Sequence, residues 1–159
     1  AQRRGKRRGI RLGVTKEDKD FFRRELRQLG LGLEDRLDDT VGLLSGGQRQ
    51  ALTMLMATMV RPQLLLLDEH TAALDPKTGH QILDLTANIV ESQHLTTLMV
   101  THNMNQALHL GNRLIMLHAG KVILDIAGEE KRNLRVEDLL ARFYSLKGEE
   151  FSSDRMLLV

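Results

Sequence analysis

Gln63-Leu64-Leu65-Leu66-Leu67-Asp68-Glu69 sets four leucines directly in front of two acids. An apolar run of this length, lacking helical spacing, suits a strand covered on both faces of a parallel sheet. Arg61-Pro62 stands just ahead of it. A residue before proline is pushed away from helical geometry, so the preceding helix must stop there. The spacing therefore predicts a strand over residues 63–68 with two carboxylates at its C-terminal end. Open α/β sheets place their ligands at that end. Side-chain alternation sends Asp68 and Glu69 to opposite sides, so they can do different work. Asp68 suits a magnesium ion, usually through water. Glu69 suits orienting or deprotonating an attacking water.

Downstream, Asp75 can cap a helix that has Pro76 at its first position. Apolar spacing carries that helix to about Glu91, burying Ile82, Leu85 and Ile89. Residues 95–101 read as a second buried strand, followed at once by His102. A short helix is expected over residues 105–110, ended by Gly111. Apolar runs at 113–118 and 121–126 flank Ala119-Gly120 and predict a hairpin. A last helix is expected over 136–146, burying Leu139, Leu140 and Phe143. Upstream, Thr15 and Asp18 form a capping box for a helix running to about Leu29, with Phe21, Phe22, Leu26 and Leu29 on one face. Residues 30–44 are an acidic, glycine-punctuated connection with a short helix near Glu34–Leu37. The order is a helical first third, then alternating strands and helices: an α/β fold.

Leu44-Ser45-Gly46-Gly47-Gln48 opens the helix expected over residues 48–60. It puts a hydroxyl, two amides without side chains and a carboxamide at a helix N-terminus. Unpaired N–H groups and the helix dipole favour an anion there, phosphate oxygen included. Met54, Met56 and Met59 on the same helix read as core filling. The six histidines show no paired spacing for zinc.

Composition narrows the function classes. The chain has 159 residues, 42% of them apolar and 28% charged, in keeping with a globular domain. It has no cysteine, which removes disulfide scaffolds, thiolate metal sites and cysteine nucleophiles. Aromatics are 3%, too few for a stacking platform on single-stranded nucleic acid. The longest apolar run, Ala51 to Val60, is half of what a membrane span needs. Basic character is local: Arg3, Arg4, Lys6, Arg7, Arg8 and Arg11 face no acid within the first eleven residues, while the whole chain carries only +2. That block reads as a solvated leader, and no nucleic-acid partner is expected.

Taken together and in order, these segments resemble the ATP-binding cassette family, specifically the ATPase subunit of transporters. Leu44 to Gln48 is similar to its signature motif, Leu64 to Glu69 to its Walker B strand with the catalytic glutamate, Ala72-Ala73-Leu74-Asp75 to its D-loop, and His102 to its switch histidine. The resemblance covers roughly residues 15–145. It implies a P-loop NTPase sheet core of the RecA-like kind, preceded by part of the helical subdomain, with a division at residues 1–60 and 61–159. It also implies two ATPase subunits sandwiching ATP head to tail. Leu44, Ser45, Gly46, Gly47 and Gln48 would then meet ATP held by the opposite subunit. Asp68 would hold magnesium, Glu69 would activate water, His102 would steady the departing phosphate and Asp75 would couple the two sites. The implied partners are a second ATPase subunit, a transmembrane permease and, indirectly, a substrate-binding protein. The implied location is cytoplasmic, on the inner face of the membrane, and the wording around Asp68–Asp75 is similar to that of bacterial uptake systems, some for amino acids. Alternatives are a non-transport cassette ATPase of DNA repair or translation, and a non-catalytic module donating its signature motif in trans.

The chain departs from the family pattern at His70, where proline is usual, and at Ala51 and Met56, where arginines are usual. A larger departure is the P-loop. Gly5-Lys6 is followed by Arg7 and Gly120-Lys121 by Val122, so no Gly-x-x-x-x-Gly-Lys-Ser/Thr occurs. The chain looks like the C-terminal part of a cassette. In the family the missing Walker A strand lies between the strands expected near 96–101 and 113–118. Those two strands should therefore not pair with each other, and the 159 residues alone should be unstable or be completed by another chain.

Overall fold

A computed structural model describes residues 14–145. The basic leader and everything after residue 145, the end of the last expected helix included, lie outside the described residues. The fold is mixed α/β, in two compact units that meet in sequence at Val100/Thr101.

In the first unit, α1 (Lys16–Arg27) begins with the expected reciprocal cap: the Asp18 amide donates to Thr15 Oγ1, and the Thr15 amide to Asp18 Oδ2. Single 3-10 turns at Leu33–Asp35 and Val41–Leu43 fill the connection, the second of them without a forewarning in the sequence. Helix α2 (Gly46–Thr58) follows, then strand β1 (Leu65–Asp68), helix α3 (Pro76–Ser92) and strand β2 (Thr97–Val100). β1 and β2 pair in parallel, Leu65 opposite Thr97 and Asp68 opposite Val100. A parallel pair needs a long crossover, and α3 supplies it.

Helix α2 serves two cores at once. Ala51 and Leu55 join Leu26, Leu29, Leu33, Leu44 and Ile82 in one cluster. Met54 joins Leu65, Leu67 and Leu95 in the other. Ala51 is wholly buried, which explains why a long charged side chain is absent there. Met56, expected to fill the core, is instead 62% exposed, because α2 turns that side to solvent.

The strands depart from expectation on one point. β1 is not covered on both faces: Leu65 and Leu67 are buried, while Leu64 and Leu66 are 51% and 66% exposed. β2 repeats the pattern, with Leu98 and Val100 exposed at 54% and 52%. The physical reason is that α2 and α3 pack on one face only, through Met54, Ile89 and Val90.

In the second unit, α4 (Met104–His109) precedes an antiparallel hairpin of β3 (Arg113–His118) and β4 (Lys121–Ala127), with a bulge at Met116/Leu117. A short helix α5 (Gly128–Asn133), absent from the sequence reading, follows, and residues 136–145 form α6. Leu114, Ile126 and the wholly buried Leu139 make the core. Lys131 is buried, and its ammonium donates to the carbonyls of Leu108, Leu110 and Gly111 at 2.6, 2.7 and 2.9 Å. A lysine so placed ties α5 to the end of α4. β2 and β3 belong to separate two-stranded sheets, one in each unit.

The open row Leu64, Leu66, Leu98 and Val100 leaves apolar side chains in water, and the 159-residue chain on its own is expected to associate through it. Leu66→Lys should weaken self-association at least about tenfold, since covering one leucine is worth about 1.5–3 kcal/mol. Sedimentation velocity over a concentration series measures it.

Candidate functional site

The turn at Ser45 is built by its own side chains. Ser45 Oγ accepts from the Gln48 amide at 3.2 Å, and Gln48 Oε1 accepts from the Ser45 amide at 3.1 Å. This capping box starts α2 two residues earlier than the glycines' low helix propensity suggests, with Gly46 and Gly47 as its first two residues. The Gln48 carboxamide is occupied further: Arg36 Nη1 donates to Oε1 at 3.2 Å, and Nε2 donates to the Leu31 carbonyl at 3.2 Å. Leu44 is buried in the first cluster, and its carbonyl accepts from Arg49 Nη1 at 2.5 Å. Of the five residues, Ser45 and Gly46 are exposed, Gln48 is half-buried, and Leu44 and Gly47 are buried.

Gly47 is buried for a specific reason. A Cβ added there would overlap the Cγ2 methyl of Thr78 in the first turn of α3. One added at Gly46 would come within 3.1 Å of Leu74 Cδ2. The turn thus lies against the Leu74–Thr78 segment. Asp75 caps α3 there, accepting from the Thr78 amide at 3.0 Å. The Thr78 hydroxyl, and after it the amide, hold the Asp75 carboxyl below the usual carboxylate range.

Asp68 and Glu69 are exposed at the C-terminal end of β1. The Glu69 amide donates to the Val100 carbonyl at 3.0 Å, extending the ladder by one bond. Glu69 then takes φ 42°, in the left-handed region that a residue with a side chain occupies at a cost. Its carbonyl accepts from the Ala72 amide at 2.9 Å, so the chain turns sharply at this residue. His70 anchors the turn. Thr86 gives its hydroxyl proton to the Ile82 carbonyl at 2.7 Å, so the 3.2 Å contact between His70 Nε2 and Thr86 Oγ1 has the imidazole as donor. Burial lowers the His70 pKa, favouring the neutral ring with its proton on Nε2.

The described residues contain no cluster of three or more acids, histidines or cysteines arranged for a metal. Asp68 is nonetheless a hard oxygen donor, exposed at the end of β1. That fits magnesium, which takes one or two carboxylates and fills its shell with water and phosphate. His102 belongs to the second unit, exposed, between Thr101 and the α4 cap Asn103. Thr101 Oγ1 donates to Gln106 Oε1 at 2.8 Å and accepts from the Asn103 amide at 3.1 Å, which fixes the backbone on both sides of it. The structure thus brings the Ser45 turn and Asp75 together through Thr78, and it holds Asp68 and Glu69 on the same unit. Thr78 and Thr86 carried no weight in the sequence, and His70 stood out there only as a departure from the family's proline. Only the position of Thr78, third after the capping Asp75, hinted at its role.

The sequence pattern of the ABC transporter family matches residues 4–72, so the match reaches into the basic leader. A tyrosine transport ATP-binding protein of Clostridioides difficile (strain R20291) is 53% identical over 118 residues, covering 74% of this chain and 47% of that protein. The chain belongs to the ABC transporter family. An aliphatic sulfonates import ATP-binding protein of Escherichia coli (strain K12) is 35% identical over 127 residues, covering 80% of this ABC chain and 49% of the relative. A metal-chelate type ABC transporter solved in an inward-facing conformation matches 86% of this chain and 53% of its own with a TM-score of 0.65 at 29% identity. The ABC chain therefore spans about half the length of the relatives it matches.

Two outcomes follow from the caps. Ser45→Ala should lower stability by about 1 kcal/mol in denaturant unfolding, through loss of the α2 cap. The depressed Asp75 pKa makes its stabilisation full above the unfolded value of 3.8 and lost as pH falls through the lower folded value. Acid unfolding of Asp75→Asn, which caps without titrating, should lack that portion of the acid limb.

Proposed function

We propose that this chain is the C-terminal portion of the ATP-binding and ATP-hydrolysing subunit of an ABC importer, with residues 1–60 in the helical subdomain and 61–159 in the ATPase core. The observation that carries the reading is the exposed Asp68-Glu69 pair at the end of a parallel strand, on the same unit as an exposed Ser45-Gly46 helix start. In a head-to-tail dimer these groups serve different nucleotides. Ser45 and Gly46 offer a hydroxyl proton and a first-turn amide to the γ-phosphate held by the second subunit. Leu44, Gly47 and Gln48, whose side chains or positions are taken up internally, hold the turn in place. Asp68 holds magnesium, which when bound neutralises charge on the phosphates.

Glu69 orients the attacking water and accepts its proton. The turn that begins at Glu69 is fixed by the Ala72 and Val100 hydrogen bonds and by the bond from His70 to Thr86 of α3. His102 meets the phosphate as it leaves, and Asp75 links the two sites across the dimer. Such chemistry is chiefly positioning and charge stabilisation, which dispersed polar groups can supply. The exposed apolar row on β1 and β2 fits a sheet face that takes a further packed layer in the intact subunit. Among the described residues no helix is long and apolar enough to cross a membrane, and the reading puts a permease subunit beside the ATPase on the cytoplasmic face. A substrate-binding protein delivers the solute. The relative named for tyrosine transport favours an amino-acid-like cargo.

In the intact subunit, Glu69→Gln should reduce ATP hydrolysis by roughly 10²–10⁴-fold, the usual worth of a positioned base. It should preserve an ATP-dependent dimer in size-exclusion chromatography. Hydrolysis near the wild-type rate would refute the assignment of Glu69.

A further inference from the structure

Gly47 and Thr78 lie on different helices, 31 residues apart in the chain, yet each defines the space of the other. Gly47 is the second residue of α2, where its φ is unexceptional, so backbone freedom does not demand glycine. What excludes a side chain is the Thr78 methyl, which stands where a Cβ would go. The contact is with a β-branched side chain in the first turn of a helix, whose χ1 is restricted, so it cannot swing aside cheaply. The Thr78 amide is bound to the Asp75 carboxylate in the same turn, which fixes the backbone that carries the methyl. Gly46 against Leu74 repeats the close approach one residue earlier.

We propose that Thr78 is a positioning residue for the Ser45–Gln48 turn, its methyl filling the side-chain space of Gly47 while its amide holds Asp75. One residue of α3 then sets the exposed Ser45 and Gly46 against the Asp75 segment. Glycine at position 47 is thereby a packing requirement of this chain, separate from any approach of phosphate. The proposal rests on the ATPase reading for its consequence in turnover, but the contact itself can be tested without nucleotide.

The test is a rescue in the intact subunit. Gly47→Ala should lower the thermal midpoint of the nucleotide-free protein and, assayed well below every midpoint, reduce ATP hydrolysis about tenfold. Adding Thr78→Ser removes the methyl and should raise both the midpoint and the hydrolysis of Gly47→Ala, the latter about tenfold. Thr78→Val keeps a methyl in place and should leave Gly47→Ala unrescued. A double variant with Thr78→Ser no better than Gly47→Ala alone would overturn the proposal, as would a harmless Gly47→Ala. If Gly47→Ala does not fold, recovery of folded protein by Thr78→Ser supports the contact, and failure to recover it counts against it. A wild-type subunit that does not hydrolyse ATP would sink the functional reading, while the midpoint rescue would still decide the role of Thr78.

Discussion

Two parallel strands cannot be joined by a tight turn, and that requirement organises the first unit. The chain must leave β1 at Asp68, travel back along the sheet and enter β2 at Thr97 in the same direction. Helix α3 makes the return journey. Its length of 17 residues exceeds the four-residue strands it joins, so its first turn projects beside the strand ends. There it meets the N-terminus of α2. Asp75 and Thr78 occupy that first turn, and Ile82, one turn further, is almost wholly buried in the cluster shared with Ala51 and Leu55. The crossover therefore does three jobs with one face: it caps itself, seats the Ser45 turn and closes the core beneath it.

The same helix explains the geometry around the acid pair. The chain has six residues in which to pass from Asp68 to the cap at Asp75. It does so through a left-handed Glu69, the turn closed by Ala72 on Glu69 and a second turn closed by Leu74 on Thr71. A strained residue persists only when its surroundings over-determine it. Here the Val100 carbonyl grips one side of Glu69, and His70, bonded to Thr86 nearly three turns into α3, grips the other. A proline would stiffen the backbone at position 70 covalently. Histidine does it by a hydrogen bond to a buried hydroxyl whose own proton is already committed.

Most elements were legible because their ends are marked by chemistry. Thr15, Ser45 and Asp75 each cap the helix that follows, and each accepts from an amide three residues on; Asn103 caps α4 in the same way, although the sequence pattern placed that start at 105. Pro62 and Gly111 stop segments for equally local reasons. The α5 helix was missed because Gly-Glu-Glu-Lys-Arg-Asn carries no apolar period; tertiary ties through Lys131 hold it instead. The leucine run misled in a different way. Four consecutive leucines state that both faces of β1 tolerate burial, but only packing decides whether both are covered. Leu64 and Leu66 are left open by the placement of α2 and α3, which no local pattern encodes.

The candidate site divides along the same line. Asp68, Glu69 and Ser45 could be named from sequence because a carboxylate at a strand end and a hydroxyl before a helix each have a local signature. Gly47 could be named too, but its packing role could not. Two adjacent glycines at a helix start suggest bare amides held out to an anion, and that inference uses only what the residue lacks. The structure shows what occupies the vacated volume, a methyl from a helix 31 residues onward. A missing side chain can make room for a ligand or for a neighbour, and the two cannot be told apart until the neighbour is known. Gly46 keeps an exposed surface although a side chain there would crowd Leu74; at Gly47 the Thr78 methyl holds the volume a side chain would need. The pair thus presents one residue outward and locks the other inward, and the outward one is held still by the inward one.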